Sequence, residues 1–523
     1  GLVYMNNIKR ECVNYLLGLM ALFLLTISKI TFAEINNNVN NCFLINEIKI
    51  ERNGLLTNKA QKELISKYIN KCLTLSDMQH IIKSMTNAYI EKGYITSQAF
   101  IADQDLSNHQ LTINVIEGKI KSIFIDNMTS PMVDILFPSY QDKRLNLREL
   151  EHGLEQLNRL TTSQYRLDIQ PSDRIGYSTI FIYKKNKTHP FRNQLTIDNS
   201  GSKATGEMLL TNTTTIDSLF GFGEQWDLSL NSNTDLLHSH YYRGYTASIN
   251  IPYGYWFYQY QLSYNRSSHF IKSYSNKYIY KSINTNQQVD ISRLLYRDSK
   301  KKIILKGILK HKKVKTELAK QPILINSPTL TSLSLAPQYH FNLTSGYLSI
   351  NPSAEIGLSF FGASPDYIAE NSPRSHYRKL SLNIHYQYLF PYSVSYITSF
   401  YGQYTSDNLY SVEKITIDGL NAVRGTKQNK LSANRGLYWR NEINTPWINS
   451  FLGQWRFITA VDYGVIYSDQ YETKQQSLLA GAMGLSFYRS PFSSQLLINK
   501  PFIYPKWSNA NQWSLSWSIS FAL

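Results

Sequence analysis

Two cysteines are the residues with the most definite chemistry open to them in this sequence. The chain holds three cysteines, and Cys12 falls in an N-terminal segment that we expect to be removed, which leaves Cys42 and Cys72. In an exported protein such a pair favours a disulfide, which would contribute roughly 3–4 kcal/mol by constraining the unfolded chain. Two free thiols are the alternative, and metal binding is disfavoured because no second pair of ligands lies nearby.

Motifs for nucleotide or hydrolytic chemistry are absent from the sequence. There is no phosphate-binding G-x-x-x-x-G-K-[ST], and Gly221-Phe222-Gly223 lacks the third glycine of a dinucleotide loop. The chain also has no G-x-S-x-G nucleophile elbow and no H-E-x-x-H zinc motif. The sequence therefore predicts no enzyme, no catalytic residue, no cofactor and no metal site.

The first 33 residues have the pattern of a secretory signal peptide. Two basic residues precede an apolar run from Tyr15 to Ile27, and Ala33 is a small residue of the kind that signal peptidases prefer. A run of about 13 residues is shorter than the roughly 20 that a membrane-spanning helix needs, which disfavours a single anchor helix. We expect residues 1–33 to be removed and residues 34–41 to form a short segment before the first domain.

The formal net charge of +17 raises the question of nucleic-acid binding. An exported protein does not meet the genome, and the basic residues are dispersed through strand-like segments rather than grouped in a nucleic-acid module. We predict no nucleic-acid partner. A basic channel lining or contact with anionic lipopolysaccharide explains the same charge.

Helical and strand patterns alternate twice before residue 190, which predicts two small α/β domains in tandem, 42–118 and 119–189. The elements expected in the first are a strand over 43–51, a helix opened by Ser76 and ended by Gly93, and strands over 96–102 and 110–117. Those expected in the second are a strand over 119–126, a helix over 147–160, and strands over 165–169 and 178–183.

From residue 190 onward the sequence consists almost entirely of short alternating strands separated by turn residues. The clearest case begins at Trp513, where apolar residues alternate with serines up to Ser520, so that one face suits lipid and the other a polar lumen. Residues 190–523 would give sixteen barrel strands about 21 residues each with their loops. A soluble β-sandwich is the alternative.

Motifs along the whole mature chain resemble those of one family of transporters. In the first small domain they are Cys42-Phe43, Cys72-Leu73, the stretches 87–90 and 93–96, Gln104-Asp105-Leu106 and Glu117-Gly118. In the second they are Leu147-Arg148, the stretch 155–160, Pro171 and Gly176-Tyr177-Ser178, and the barrel opens with 198–201 and Gly206. Their order and spacing are similar to the TpsB transporters of two-partner secretion, the haemolysin secretion/activation family that includes ShlB, FhaC, HecB and CdiB.

This resemblance implies two periplasmic POTRA domains followed by a sixteen-stranded antiparallel β-barrel in the bacterial outer membrane. It also implies the function, which is recognition and export of a large TpsA-type exoprotein with an N-terminal secretion domain, either a haemolysin, an adhesin or a contact-dependent inhibition toxin. Expected further partners are outer-membrane lipid, lipopolysaccharide, periplasmic chaperones and the barrel-assembly machinery. An outer-membrane assembly insertase of the BAM/TAM type is the main alternative, ahead of a diffusion porin or a barrel-linked hydrolase.

The same resemblance singles out a loop and a wall motif. Val423-Arg424-Gly425 is similar to the tip of the sixth extracellular loop, here about 408–434, which folds back into the barrel, and Asp462-Tyr463-Gly464 is similar to its partner on an inward face. The resemblance implies that Arg424 pairs with Asp462 and latches the loop, whereas an ordinary exposed arginine is the alternative. Thr426 replaces a usual aromatic and Asp418-Gly419 a usual Gly-Gly, so we expect a less firmly held tip.

Two further expectations concern the periplasmic part. The motifs of the second small domain suggest that Asn158, Arg159, Leu160, Gly176 and Ser178 take part in recognising the exoprotein. The eight residues 34–41 could form a helix of only about 12 Å, too short for the pore-plugging helix of relatives. We therefore expect that plug to be absent or truncated.

Overall fold

The computed structural model describes residues 41–523 except 53, 161–163, 186–188, 236–239, 428–429, 472 and 509–511. The predicted signal peptide and the segment 34–40, with its expected lack of a plug helix, lie outside the described residues. The chain divides into two units, one with residues up to 85 and 99–115, the other with residues 86–98 and 116–523. Within the described ranges, no helix is both long and apolar enough to cross a membrane.

The first small domain contains two helices and two short sheets. Its helices are α1 (Asn58–Ile65) and α2 (Leu75–Glu91). In one sheet β1 (Phe43–Ile45) pairs with β3 (Lys71–Leu73), and in the other β5 (Gln110–Ile116) lies between β2 (Glu47–Glu51) and β4 (Gln98–Phe100). Its core contains Ile45, Leu73, Ile81 and Met85, all nearly inaccessible to solvent.

The predicted disulfide between Cys42 and Cys72 is confirmed. It joins the residue before β1 to the middle of β3, with the two Cα atoms 5.1 Å apart and the cysteines 30 positions apart in sequence. Because the domain is small, this cross-link adds to a core that would otherwise be limited.

The single strand predicted over 43–51 is two strands, β1 and β2, in the structure. It is interrupted at Asn46, whose N–H donates to the carbonyl of His109 at 2.8 Å, so that β1 and β2 join different sheets. The predicted helix begins one residue before Ser76. Its capping residue is Thr74, whose hydroxyl accepts from the N–H of Asp77 at 3.2 Å while the Asp77 carboxylate accepts from the Thr74 N–H at 2.8 Å.

The second small domain has one three-stranded sheet and two helices. In the sheet β8 (Tyr177–Lys184) lies between β6 (Lys119–Ile125) and β7 (Tyr165–Pro171). The helices are α3 (Pro131–Leu136), which the sequence did not predict, and α4 (Leu147–Asn158). Asn146 caps α4 by accepting from the Arg148 N–H at 2.9 Å, and Leu150 and Leu157 of α4 pack into the buried core.

The predicted closed antiparallel barrel is confirmed, with sixteen long strands among the described residues. In chain order these are β9 (Phe191–Asp198), β10 (Leu209–Asp217), β11 (Gln225–Asn233), β12 (Tyr241–Tyr253), β13 (Trp256–Ser273), β14 (Asn276–Arg297), β15 (Lys301–Leu318), β17 (Thr329–Leu343), β18 (Gly346–Leu358), β19 (Arg378–Leu389), β20 (Ser395–Tyr404), β23 (Gly436–Asn444), β25 (Gly453–Ile466), β26 (Gln476–Arg489), β27 (Phe492–Ile503) and β28 (Ser514–Ala522). Short strands β16 (Gln321–Pro322) and β24 (Ile448–Ser450) extend the sheet at its rims.

The barrel strands are in part longer than a membrane requires. We call the end at which β9 begins the near end and the opposite end the far end. Strand β14 has 22 residues, and β13 and β15 have 18 each. Since about 9–11 residues cross a bilayer, this hairpin region projects beyond the lipid at the far end. Sequence periodicity did not predict the projection, because the alternation continues without a change across the lipid boundary.

The barrel closes through a short seam between its first and last strands. β28 and β9 pair over five residues, from Ser518 opposite Asp198 to Ala522 opposite Gln194, whereas β9 and β10 pair over eight. Beyond the pair of Ser518 with Asp198, the Asn199 side chain continues the contact between the two strands. It donates to the carbonyl of Leu515 at 2.6 Å and accepts from the N–H of Trp517 at 3.0 Å.

Candidate functional site: a loop held inside the barrel

The connection between β20 and β23, residues 405–435, folds into the barrel, and we call it the inner loop. It contains a single turn of 3-10 helix, Ser411–Glu413, and a small hairpin of β21 (Ile415–Thr416) with β22 (Ser432–Ala433). An apolar cluster fixes it against the wall. The loop side of this cluster contains Ile415, Ile417, Val423, Leu431 and Ala433, and the wall side contains Ile466, Leu478 and Ala480.

Arg424, at the tip of the inner loop, is clamped by two wall carboxylates. Its Nε donates to Asp462 Oδ2 at 2.6 Å and its Nη2 to Asp462 Oδ1 at 2.8 Å, which is the bidentate geometry of a strong charge-assisted pair. Its Nη1 donates to Glu442 Oε1 at 2.5 Å, and its backbone N–H reaches Asp462 Oδ2 at 3.1 Å. Arg424 is 5% exposed and Asp462 1%. The structure thus brings together the two charged residues that the resemblance paired.

Two glycines allow the tip to approach the wall. Gly425 has φ +83°, and a Cβ there would stand 2.2 Å from Asn499 Cβ on β27. On β25, a Cβ at Gly464 would stand 2.9 Å from Val423 Cγ2, so the completely buried Val423 packs where this side chain is missing. The tip therefore fits the wall only because both positions lack side chains.

The positions that depart from the family motif are also bonded. The Thr426 hydroxyl donates to the carbonyl of Val423 at 2.8 Å, and the Asp418 carboxylate accepts from the N–H of Leu431 at 2.8 Å. Gly419 has φ +114°. These bonds close the loop on itself, so the expectation of a weakly held tip does not follow from this geometry.

A second cluster, which the sequence reasoning missed, holds the foot of the inner loop. Glu413 accepts from Lys379 Nζ at 2.9 Å and from Lys312 Nζ at 2.8 Å. Lys379 also lies 3.1 Å from Glu355 Oε2, and Lys310 lies 3.8 Å from Glu355 Oε1. These residues come from three strands and the loop, so no local motif marks them. The one available signal is that Lys310 and Lys312 have the same parity on β15 and therefore face the same side.

Substitution of Gly425 by alanine is expected to displace the tip from the wall and raise the conductance of the purified chain in planar bilayers. The cause is the clash with Asn499, in addition to about 1–2 kcal/mol for a side chain at positive φ. Gly419→Ala is the matched control, because Gly419 also has a positive φ but no described residue lies within 4 Å of the added Cβ. Equal conductance in the two variants would contradict the close fit.

The predicted recognition residues of the second small domain have mixed placements. Asn158, the last residue of α4, is exposed and donates to the carbonyl of Tyr165 at 3.1 Å, and Gly176 has φ +79° in the turn before β8. Leu160 and Ser178 are buried, so their side chains pack inside the domain and are not presented to an exoprotein.

Arg159 instead joins the second small domain to the near end of the barrel. Its guanidinium donates to the carbonyl of Gly223 at 2.7 Å and to the side chain of Asn250. Glu155, one turn earlier on α4, forms ion pairs with Lys302, at 2.7 Å, and with Arg297. Burial alone would raise the pKa of the Glu155 carboxyl, but these two cations outweigh it and lower the pKa to about 2.

The family model for the haemolysin secretion/activation proteins ShlB/FhaC/HecB matches residues 176–487, more than half of the chain. This chain belongs to that family. Models of a ShlB-type POTRA domain and of a POTRA domain match residues 43–118 and 119–171 of this ShlB/FhaC/HecB member. The resemblance seen in the sequence, and the fold expected from it, are therefore confirmed.

Named relatives of this ShlB/FhaC/HecB member include outer membrane transporter CdiB of Dickeya dadantii, 33% identical over 476 residues, which are 89% of this chain and 84% of the relative. Hemolysin transporter protein ShlB of Serratia marcescens is 29% identical over 74% of this chain and 70% of its own length. The structure of CdiB from Escherichia coli superposes with a TM-score of 0.89 at 29% identity, covering 95% of this chain and 93% of that one.

Family and fold together make this ShlB/FhaC/HecB chain an outer-membrane transporter of the two-partner secretion class, with its POTRA domains in the periplasm. The near end of the barrel is consequently periplasmic and the far end extracellular. Within the described residues, no cluster of three or more His, Cys, Asp or Glu side chains could hold a metal ion.

Proposed function

We propose that this transporter recognises the N-terminal secretion domain of one large TpsA-type exoprotein in the periplasm and moves the unfolded polypeptide through the barrel to the cell surface. The proposed cargo is a haemolysin, an adhesin or a contact-dependent inhibition toxin. No catalysis, cofactor or metal is required for this role. Folding of the cargo outside the cell makes the movement one-way.

The observation that carries this proposal is the buried clamp of Arg424 by Asp462 and Glu442. It holds a whole loop inside the lumen through side-chain contacts. When those contacts break, the loop can move aside without disrupting the ladder of barrel hydrogen bonds. We propose that this movement opens the path of the exoprotein and that Val423, Gly425 and Gly464 provide the fit that returns the loop to its place.

The lumen side of β15 supports a path for unfolded polypeptide. Lys302, Lys306, Lys310 and Lys312 share one parity on this strand, and Lys306 lies 3.2 Å from the inward carboxylate of Asp290. This row of paired charges, interrupted by Ile304 and Ile308, gives the lumen a largely polar lining that water can occupy.

Recognition in the periplasm is proposed to occur by β-augmentation on the POTRA domains, which we take as residues 42–118 and 119–189. β7 forms an edge of its sheet, and its residues are partly or fully exposed. An extended segment of the exoprotein can add to such an edge through main-chain hydrogen bonds. Asn158 and the turn at Gly176 flank this edge, whereas Arg159, Leu160 and Ser178 contribute by positioning the domain.

The proposal is tested by deleting the gene for this chain and comparing the large polypeptides at the cell surface and in the medium. We expect one large polypeptide to disappear and to return on complementation with the full chain. Loss of many barrel proteins from the outer membrane, with their precursors accumulating, would instead support the alternative of a BAM/TAM-type insertase. Deletion without any change in surface polypeptides would contradict both roles.

A further inference from the structure

The outer surface of the barrel changes its character along β12–β15. Towards the near end most outward side chains are aromatic or aliphatic, as lipid contact requires, with Thr285 and Gln287 of β14 as polar exceptions. On β13 these are Tyr258, Tyr260, Leu262 and Tyr264, and on β15 they are Ile303, Leu305 and Leu309. Towards the far end the same outward faces carry basic residues, with Phe270 and Ile279 beyond them, and we take the first basic row as the outer boundary of the lipid band.

Five basic residues form what we call the outer basic patch. They are Arg243 on β12, Arg266 on β13, Lys281 on β14, and Lys313 and Lys315 on β15, all exposed. Arg243 and Arg266 lie opposite each other on neighbouring strands. Arg266 lies opposite Ile283 of β14, which lies opposite Lys315 of β15, so Lys315 belongs to the same cross-strand row, two strands beyond Arg266. Adjacent strands are about 4.8 Å apart, so this row brings three like charges within roughly 15 Å.

Tyr241 holds the two arginines of the patch side by side. Its ring centroid lies 5.0 Å from the guanidinium carbon of Arg243 and 5.6 Å from that of Arg266, and Arg266 Nη2 donates to the Tyr241 hydroxyl at 3.1 Å. Like charges placed opposite each other on a sheet repel. An arrangement that fixes them together is therefore suited to an anion from outside the chain.

On β15, the inward and outward lysines differ in whether carboxylates of the protein neutralise them. Each of the four inward lysines has a carboxylate within ion-pair distance, namely Glu155, Asp290, Glu355 or Glu413. Within the described residues, none of the five patch residues has a carboxylate within 4.0 Å, and Glu317, opposite Lys281, is the acid on the same face. The inward charges are neutralised by the protein, whereas the outward ones are left for the surroundings.

We propose that the outer basic patch binds the phosphate groups of lipopolysaccharide in the outer leaflet. The patch faces away from the lumen, which disfavours the exoprotein as its ligand, and it begins where the lipid-facing band ends, which is the level of anionic headgroups. Guanidinium groups offer forked donors for phosphate oxygens, and the lysines add point charges. Lipopolysaccharide would thereby fix the projecting hairpin of β13 and β14 to the leaflet.

The test uses the full chain, purified and delipidated in detergent, and measures binding of bisphosphorylated lipid A by native mass spectrometry. We expect the affinity of the R243Q/R266Q/K313Q/K315Q variant for lipid A to fall by at least about tenfold, because each cation near an anionic surface contributes to binding. K49Q/K59Q/K62Q/K83Q, which removes four exposed lysines from the first POTRA domain, is the matched control and should bind as the unmodified chain does. Retention of heat-modifiable migration in gels shows that each barrel is folded.

Two arms do not depend on any variant. Binding by the unmodified chain should weaken as salt is raised, and dephosphorylated lipid A should bind far less than the bisphosphorylated form. Equal binding of the two lipids would overturn the proposal, since acyl chains alone would then suffice. The proposal also fails if the quadruple variant binds lipid A normally, and loss of exoprotein capture by that variant would then assign the patch to the cargo. Inorganic phosphate competing only at high concentration would support a lipid-bound phosphate as the ligand.

Discussion

Cells carrying Arg424→Ala are expected to secrete the exoprotein at less than about one tenth of the normal rate while keeping the barrel in the outer membrane. The substitution leaves Asp462 and Glu442 without their shared guanidinium in a nearly dry site. Removing one partner of a buried pair costs about 3–5 kcal/mol, enough to release the loop tip from the wall. A tip that cannot return to its place after moving aside stays loose in the lumen and obstructs the path of the exoprotein. The measurement is the amount of exoprotein at the surface and in the medium per folded barrel.

Arg435→Ala is the matched control for this prediction. Arg435 also belongs to the inner loop, but its Nε donates to the carbonyl of Thr405 at 2.8 Å and it contacts neither wall carboxylate. In a double-mutant cycle, Arg424→Ala with Asp462→Ala should be less harmful than the two single effects added together. Full secretion by a normally assembled Arg424→Ala variant would refute the role of the clamp.

Lys379→Met is expected to destabilise the barrel by about 3–5 kcal/mol, because it leaves two buried carboxylates close to each other without their common cation. Lys379 contacts both Glu355 and Glu413, and each of the three side chains is less than a tenth exposed. The free energy of unfolding, obtained from urea titration of the barrel in detergent, checks this value.

Rescue distinguishes this charge effect from a loss of packing. Adding Glu413→Gln to Lys379→Met removes one of the two like charges and should restore a large part of the stability. Lys414→Met, next to Glu413 in the sequence and only partly buried, should change the stability little. If the double variant is no more stable than Lys379→Met alone, the foot of the loop is held by packing rather than by charge.

The sequence predicted the parts of the fold that have a strong period or a local cap. Alternation in β28 reflects lipid on one side and a polar lumen on the other, and the leucines of α4 repeat at helical spacing. The strand predicted over 43–51 was wrong as a single element because its interruption depends on the carbonyl of His109, about sixty residues away. The short helices α1 and α3 have too few turns to show a period.

Only part of the candidate site could be predicted from the sequence. Arg424 and Asp462 were singled out because a family motif marks them, and their 38-residue separation has no meaning without the fold. Glu413, Lys379 and Lys312 come from a loop and two distant strands, so only the closed barrel brings their charges together. For Arg159 the sequence suggested contact with the cargo, whereas its bonds go to the barrel, because burial against another domain leaves no local signature.

The five-residue seam between β9 and β28 has a consequence for biogenesis. These two strands lie at opposite ends of the barrel sequence, so the cylinder cannot be sealed before its whole sheet has entered the bilayer. Until then the sheet has two raw edges, each able to bond with a strand of another protein. The seam needs only five strand pairs, and Asn199 can add two hydrogen bonds by side-chain rotation. The last step of assembly can therefore replace hydrogen bonds to another protein's strand with the native bonds between β9 and β28 at little cost in free energy.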